Sequence, residues 1–100
     1  MELLEPALRT YPWGSRTMLA DLRGTASPAP SPEAELWFGA HPAAPSTIGS
    51  RGLDAIIADD PRAALGQRVA DKFNEHLPFL LKLLAAGAPL SLQALSLIHI

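Results

Sequence analysis

The sequence predicts a small α+β domain, and three observations carry that reading. Residues 34–41 and 90–95 alternate apolar and polar side chains at the period of a strand. Met18, Leu19 and Leu22, and again Leu53, Ile56 and Ile57, recur at the spacing that puts apolar groups on one face of a helix. Glycine and proline, 7 and 10 residues of the 100, punctuate these runs and keep each element short. A chain of this length makes at most one small domain, burying roughly 60 to 70% of its unfolded surface.

The N-terminal stretch holds Glu2 and Glu5 where a secretion signal is basic, and Pro6 interrupts its apolar run, so it is not read as a signal peptide. Ser15 is placed to cap a helix running from Arg16 through Arg23, with Gly24 just past its end. The prolines of Thr25 to Pro32 make an extended surface loop. Too little chain precedes that loop to bury a core, so it is not an interdomain linker.

Ala34 to His41 follows as a strand, ended by Pro42, Pro45 and Ser46. The next helix contains Leu53, Ile56 and Ile57, with Ser50 as its cap and Asp59-Asp60-Pro61 as its stop. Asp60 and Pro61 in turn start a second short helix that Gly66 closes. Gln67 to His76 carries Val69, Ala70 and Phe73 on one side and fits a helix or a structured loop. Leu77 to Leu84 is a short apolar run that suits a buried strand and a core helix equally. Gly87-Ala88-Pro89 is a turn, and Leu90 to Leu95 a strand. No internal repeat is visible.

Composition excludes several function classes. A net charge of −2 and a pI near 5.8 give no electrostatic basis for binding nucleic acid or an acidic membrane. Pro78, Lys82, Gly87 and Pro89 break the longest apolar run, Leu77 to Leu90, so it does not span a bilayer. Without cysteine there is neither a disulfide framework nor a thiolate metal site, and any metal must use imidazole, carboxylate or amide ligands. A cytoplasmic protein is the expectation.

Three segments place polar groups amid apolar ones. In Tyr11-Pro-Trp-Gly-Ser15, Trp13 is either a stacking platform for a sugar ring or a core or lid tryptophan. In Ala34 to Pro42, Glu35 and His41 are either ligands or acid–base groups, or satisfied structural groups. The third segment joins Lys82 to Ser91 and Gln93. A lysine in an apolar strand is costly to bury unless an anion offsets it, and a phosphate is such an anion; alternatively Lys82 snorkels to solvent. Ser91 and Gln93 are two apart, so in a strand they point to one side, and a hairpin at 87–89 would bring Ser91 near Lys82.

Taken together these segments resemble the N-terminal region of type I mannose-6-phosphate isomerases (phosphomannose isomerases). The matching blocks are Tyr11 to Ser15, Ala34 to Pro42 with Pro45-Ser46, Leu77 to Leu84, and Pro89 to Ala94, in the family's order and near its spacing. The resemblance implies the early part of a cupin-like β-barrel (jelly roll) with short helices, the barrel left incomplete. It implies interconversion of mannose 6-phosphate and fructose 6-phosphate through a cis-enediol(ate), with a Zn2+ stabilising the developing oxyanion. It further implies that Gln93 is one zinc ligand, and that Trp13, Lys82 and Ser91 line the substrate pocket, the last two toward the phosphate. The implied partner is a small sugar phosphate, with no nucleic acid and no membrane.

The chain departs from the pattern at its end. Where the family reads Gln-x-His-Pro, this chain reads Gln93-Ala94-Leu95-Ser96, so leucine stands in place of the first histidine ligand. Residues 1–94 are therefore expected to be the N-terminal part of the catalytic domain and 95–100 a foreign, artefactual tail. His99 has the wrong spacing from Gln93 to substitute. The expectation is a truncated isomerase, inactive and without tight zinc binding on its own. A non-catalytic cupin-like sugar-phosphate binding module is the alternative, and a ligand-free structural fragment a third reading.

Overall fold

In the computed structural model, which describes residues 2–89, the alternating run at 34–41 forms the central strand of a three-stranded sheet. That strand, β2 (Glu35–Phe38), is shorter than the run suggested. It lies between β1 (Ala7–Arg9) and β5 (Leu81–Leu84), antiparallel to both. In register, Ala7 faces Trp37 and Arg9 faces Glu35 on one side; Glu35 faces Leu84 and Trp37 faces Lys82 on the other. Because successive strand residues point to opposite faces, Arg9, Glu35, Trp37 and Lys82 share one face, and Leu8, Leu36, Phe38, Leu81 and Leu83 the other.

The apolar face carries the core. Leu36, Leu19 and Ala85 pack together with Phe38 against them, so α1 (Met18–Arg23) covers this side of the sheet. The helix begins two residues later than Arg16. The Ser15 hydroxyl still accepts from the N–H groups of Thr17 (3.2 Å) and Met18 (3.1 Å), relieving two donors that a helix start leaves free. Gly24 ends the helix in the left-handed conformation, as its position suggested.

Beyond β2, Ser46 is fully buried and ties three segments together. Its hydroxyl donates to the Trp37 carbonyl (2.8 Å) and accepts from the Gly39 N–H (3.0 Å), while its own carbonyl accepts from Leu53. A two-residue turn at Gly49-Ser50 then joins β3 (Thr47–Ile48) to β4 (Arg51–Gly52). Gly49 sits at φ 61, which the first position of a type II′ hairpin turn requires. Ser50 is therefore a turn residue and not a helix cap: α2 (Leu53–Asp59) starts after Gly52, without a side-chain cap.

The next helix behaves as its sequence suggested. Pro61 opens α3 (Pro61–Leu65), the Asp60 carboxylate accepts from the Ala63 N–H (3.3 Å), and Gly66 closes it. The uncertain run at 67–76 is helical over α4 (Gln67–Lys72). Asn74 follows at φ 54, and the Glu75 N–H reaches back to the Ala70 carbonyl (2.7 Å), the bond that closes a Schellman motif. The ambiguous Leu77 to Leu84 resolves as coil followed by β5, a strand with no helical part.

The described residues thus form a mixed helix-and-sheet unit without a closed barrel. Three strands, β1, β3 and β4, had no counterpart in the sequence reading. Among the described residues no helix is long and apolar enough to cross a membrane. The strand expected at 90–95, with Ser91 and Gln93, lies outside the described residues.

Candidate functional site

The polar face of the sheet gathers aromatic and charged groups around Trp37. Its indole N–H donates to the Glu35 carboxylate at 2.5 Å, in a buried setting. The Lys82 ammonium lies 4.4 Å from the centre of the indole and 3.8 Å from the same Glu35 oxygen. From the opposite neighbouring strand the Arg9 guanidinium comes to 5.1 Å from the indole centre. One tryptophan thus has a cation from each flanking strand, and one carboxylate against its N–H. Cations over an indole face are attracted by its quadrupole, by roughly 0.5 to 2 kcal/mol as exposure falls.

Lys82 answers the question its sequence posed in an unexpected way. The strand around it is not buried: Leu81, Leu83 and Leu84 are all more exposed than the lysine, whose side chain is 26% exposed. It neither sits in a dry apolar strand nor extends fully into solvent. Its neighbours are Glu35 and the Trp37 ring, and its remaining surface opens on a cleft. That cleft is open, about 1230 Å³ in volume, and lies between the polar face of the sheet and the α2 to Leu80 region; Trp37, His41, Ile57, His76 and Lys82 are among its lining residues.

Glu35 and His41, weighed earlier as ligands or acid–base groups, both act on Trp37. His41 packs edge-on against the indole at 5.3 Å, and its Nδ1 accepts from the Ala43 N–H at 3.0 Å, which puts the proton of the neutral ring on Nε2. Among the described residues no group of three or more His, Asp or Glu side chains could hold a metal ion.

Trp13 does not line the cleft. It is half-buried and stacks on Tyr11, with centroids 5.8 Å apart and planes at 27°. Its backbone is held closely. The Trp13 carbonyl accepts from Gly87 (2.7 Å), and Gly14 lies so near Ala34 that an added Cβ would meet the Ala34 nitrogen at 2.6 Å. The glycine of the Tyr-Pro-Trp-Gly-Ser block is therefore required by the approach of two backbones.

Trp13 and Lys82 are joined by a chain of contacts through intermediaries that the sequence reading did not single out as site residues. Those are Arg9, Tyr11 and Trp37. A signal for them existed: Arg9 and Tyr11 stand two apart, as do Glu35 and Trp37, which in extended chain places each pair on one side, while Trp13 follows across a turn.

Comparison with known proteins gives this arrangement a family context. The family model for the catalytic domain of phosphomannose isomerase type I matches residues 1–96. The mannose-6-phosphate isomerase of Salmonella typhimurium is 43% identical over 98 residues, covering 93% of this chain and 25% of that protein. The Homo sapiens protein of the same name is 36% identical over 104 residues, covering 91% and 24%. Among solved structures, the apo mannose 6-phosphate isomerase of Salmonella typhimurium superposes with a TM-score of 0.83 at 45% identity, over 91% of this chain and 23% of the other. A mannose 6-phosphate isomerase bound with zinc and yttrium superposes at 0.82 with 44% identity, over 91% and 24%. The chain spans about a quarter of the length of the curated relatives it matches.

Proposed function

Because the chain belongs to the type I phosphomannose isomerase family, we propose that it supplies the N-terminal part of a mannose-6-phosphate isomerase, an enzyme interconverting mannose 6-phosphate and fructose 6-phosphate. The observation that carries this reading is the agreement of family membership with the placement of Lys82 beside Trp37 and Glu35, at the wall of an open cleft.

In this reading the Trp13 ring packs against the C–H face of the sugar. Lys82 meets the phosphate: its single carboxylate contact is long, so an anion can recruit the ammonium at small cost. Ser91 joins Lys82 at the phosphate end. The ligand is a small sugar phosphate in the cytoplasm, and the complete domain is a cupin-like β-barrel to which residues 1–94 contribute early strands, with 95–100 foreign to it.

Zinc belongs to the reading through the relative crystallised with it, and Gln93 is the ligand proposed from this chain. The described residues contain no cluster of His, Asp or Glu that fits the ion. What these residues do is bind and orient. Glu35 fixes Trp37 through its N–H and holds the Lys82 ammonium in place, while the aromatic groups present flat, rigid surfaces to a sugar.

A chimera tests this directly. Residues 1–94 joined to the remaining three quarters of the Salmonella typhimurium relative, supplied with zinc, are expected to convert mannose 6-phosphate in a coupled assay. Lys82→Met in that chimera should raise KM at least tenfold with kcat less affected, the signature of lost substrate binding. A folded, zinc-loaded chimera that binds mannose 6-phosphate without converting it would replace the isomerase reading with a binding module.

A further inference from the structure

Trp13 and Trp37 stand on different segments, yet a continuous set of contacts joins them. Tyr11 stacks on the Trp13 indole with an offset, their centroids 5.8 Å apart. The Tyr11 phenol oxygen accepts from Arg9 Nε at 3.1 Å. The Arg9 guanidinium lies 5.4 Å from the Tyr11 ring centre and 5.1 Å from that of Trp37. Beyond Trp37 stands Lys82.

Arg9 makes these contacts in place of a more ordinary one. It sits directly opposite Glu35 in the β1–β2 register, where opposite charges usually pair across the strands. Among the described residues no carboxylate lies within ion-pair distance of it. The guanidinium turns to the two aromatic rings and to the Ala43 carbonyl (3.5 Å), leaving Glu35 to Trp37 and Lys82. A planar guanidinium can lie against rings and donate from Nε at once, which a lysine cannot do.

We infer that Arg9 and Tyr11 are positioning residues that set the orientation of the Trp13 sugar platform relative to the Trp37–Lys82 wall. The inference rests on the sugar-phosphate reading for its purpose. Its geometry is independent of that reading. The backbone of Trp13 is already pinned by Gly87 and by the Gly14–Ala34 approach, so the remaining freedom is the swing of the indole, and Tyr11 is the group that limits it. Arg9 limits Tyr11 in turn.

The test is 19F spectroscopy of the 100-residue chain labelled with 5-fluorotryptophan, which has one resonance for each of its two tryptophans, assigned with Trp37→Phe. Arg9→Lys keeps the charge and is expected to move the Trp13 resonance by more than its linewidth, although Arg9 has no cation–π contact with that ring. Tyr11→Phe keeps the ring, frees Arg9 Nε, and is expected to move the Trp37 resonance likewise. The inference is overturned if each substitution moves only the ring its residue touches, or if the unsubstituted chain already shows the resonance positions of its urea-unfolded state. If Arg9→Lys alone collapses to those positions, Tyr11→Phe decides. No substrate enters the measurement, so its failure is distinct from failure of the isomerase reading.

Discussion

Lys82 stands directly across the β2–β5 ladder from Trp37, with its ammonium 4.4 Å from the indole centre and 3.8 Å from the carboxylate that accepts the indole N–H. Three groups thus share one electrostatic unit. The cation is attracted to the ring face and to the carboxylate, while the carboxylate is held in place by the ring N–H.

That unit should be cooperative. Glu35→Gln and Lys82→Met are each expected to destabilise the fold by about 1 to 2 kcal/mol, since each strips a partner from a partly buried charge. The double substitution should cost less than the two together, with a coupling on the order of 1 kcal/mol. Urea unfolding of the four proteins measures it. Additive costs would mean that the 3.8 Å contact carries no energy.

Ser46→Ala should cost about 1 to 3 kcal/mol, because it leaves the Gly39 N–H and the Trp37 carbonyl without their partner in a fully buried site. The same measurement applies, and a change below about 0.5 kcal/mol, typical of surface substitutions, would contradict it.

Gly14→Ala places a methyl group 2.6 Å from the Ala34 nitrogen, a backbone atom that cannot yield without moving β2. Overpacking of this kind costs about 1 to 3 kcal/mol and sometimes more. The expected result is a lowered unfolding midpoint or loss of the folded state by circular dichroism. Unchanged stability would show that the two segments separate at little cost.

The outer strand predicts self-association. β5 ends the sheet among the described residues, with Leu81 57% exposed and Phe79 60% exposed beside it. Exposed apolar edge strands recruit other chains. Sedimentation velocity should show association rising with concentration, and Leu81→Lys should reduce it without lowering stability. A chain that stays monomeric at every concentration would refute this.

Much of the local structure was readable because it is governed by near neighbours. Gly24 ends α1, and Asp60 with Pro61 starts α3, through bonds spanning three to five residues. Ser50 shows where such reasoning misleads. The residue type suits a helix cap, but Gly49 before it accepts a positive φ, and a hairpin turn takes both residues. The short strand β1 gave no signal because three residues establish no period, and it is a strand only because β2 lies beside it.

The order of the sequence blocks specified the family, and each block's own residues specified its helix ends and its turn. The tertiary structure alone decided which side chains meet. Glu35 and Lys82 are 47 positions apart and adjoin only because β2 and β5 pair in one particular register, and a shift of one residue would send Lys82 to the opposite face. Lys82 is more shielded than the leucines around it because its ammonium lies against the Trp37 ring and the Glu35 carboxylate, contacts that hydropathy along the chain does not report.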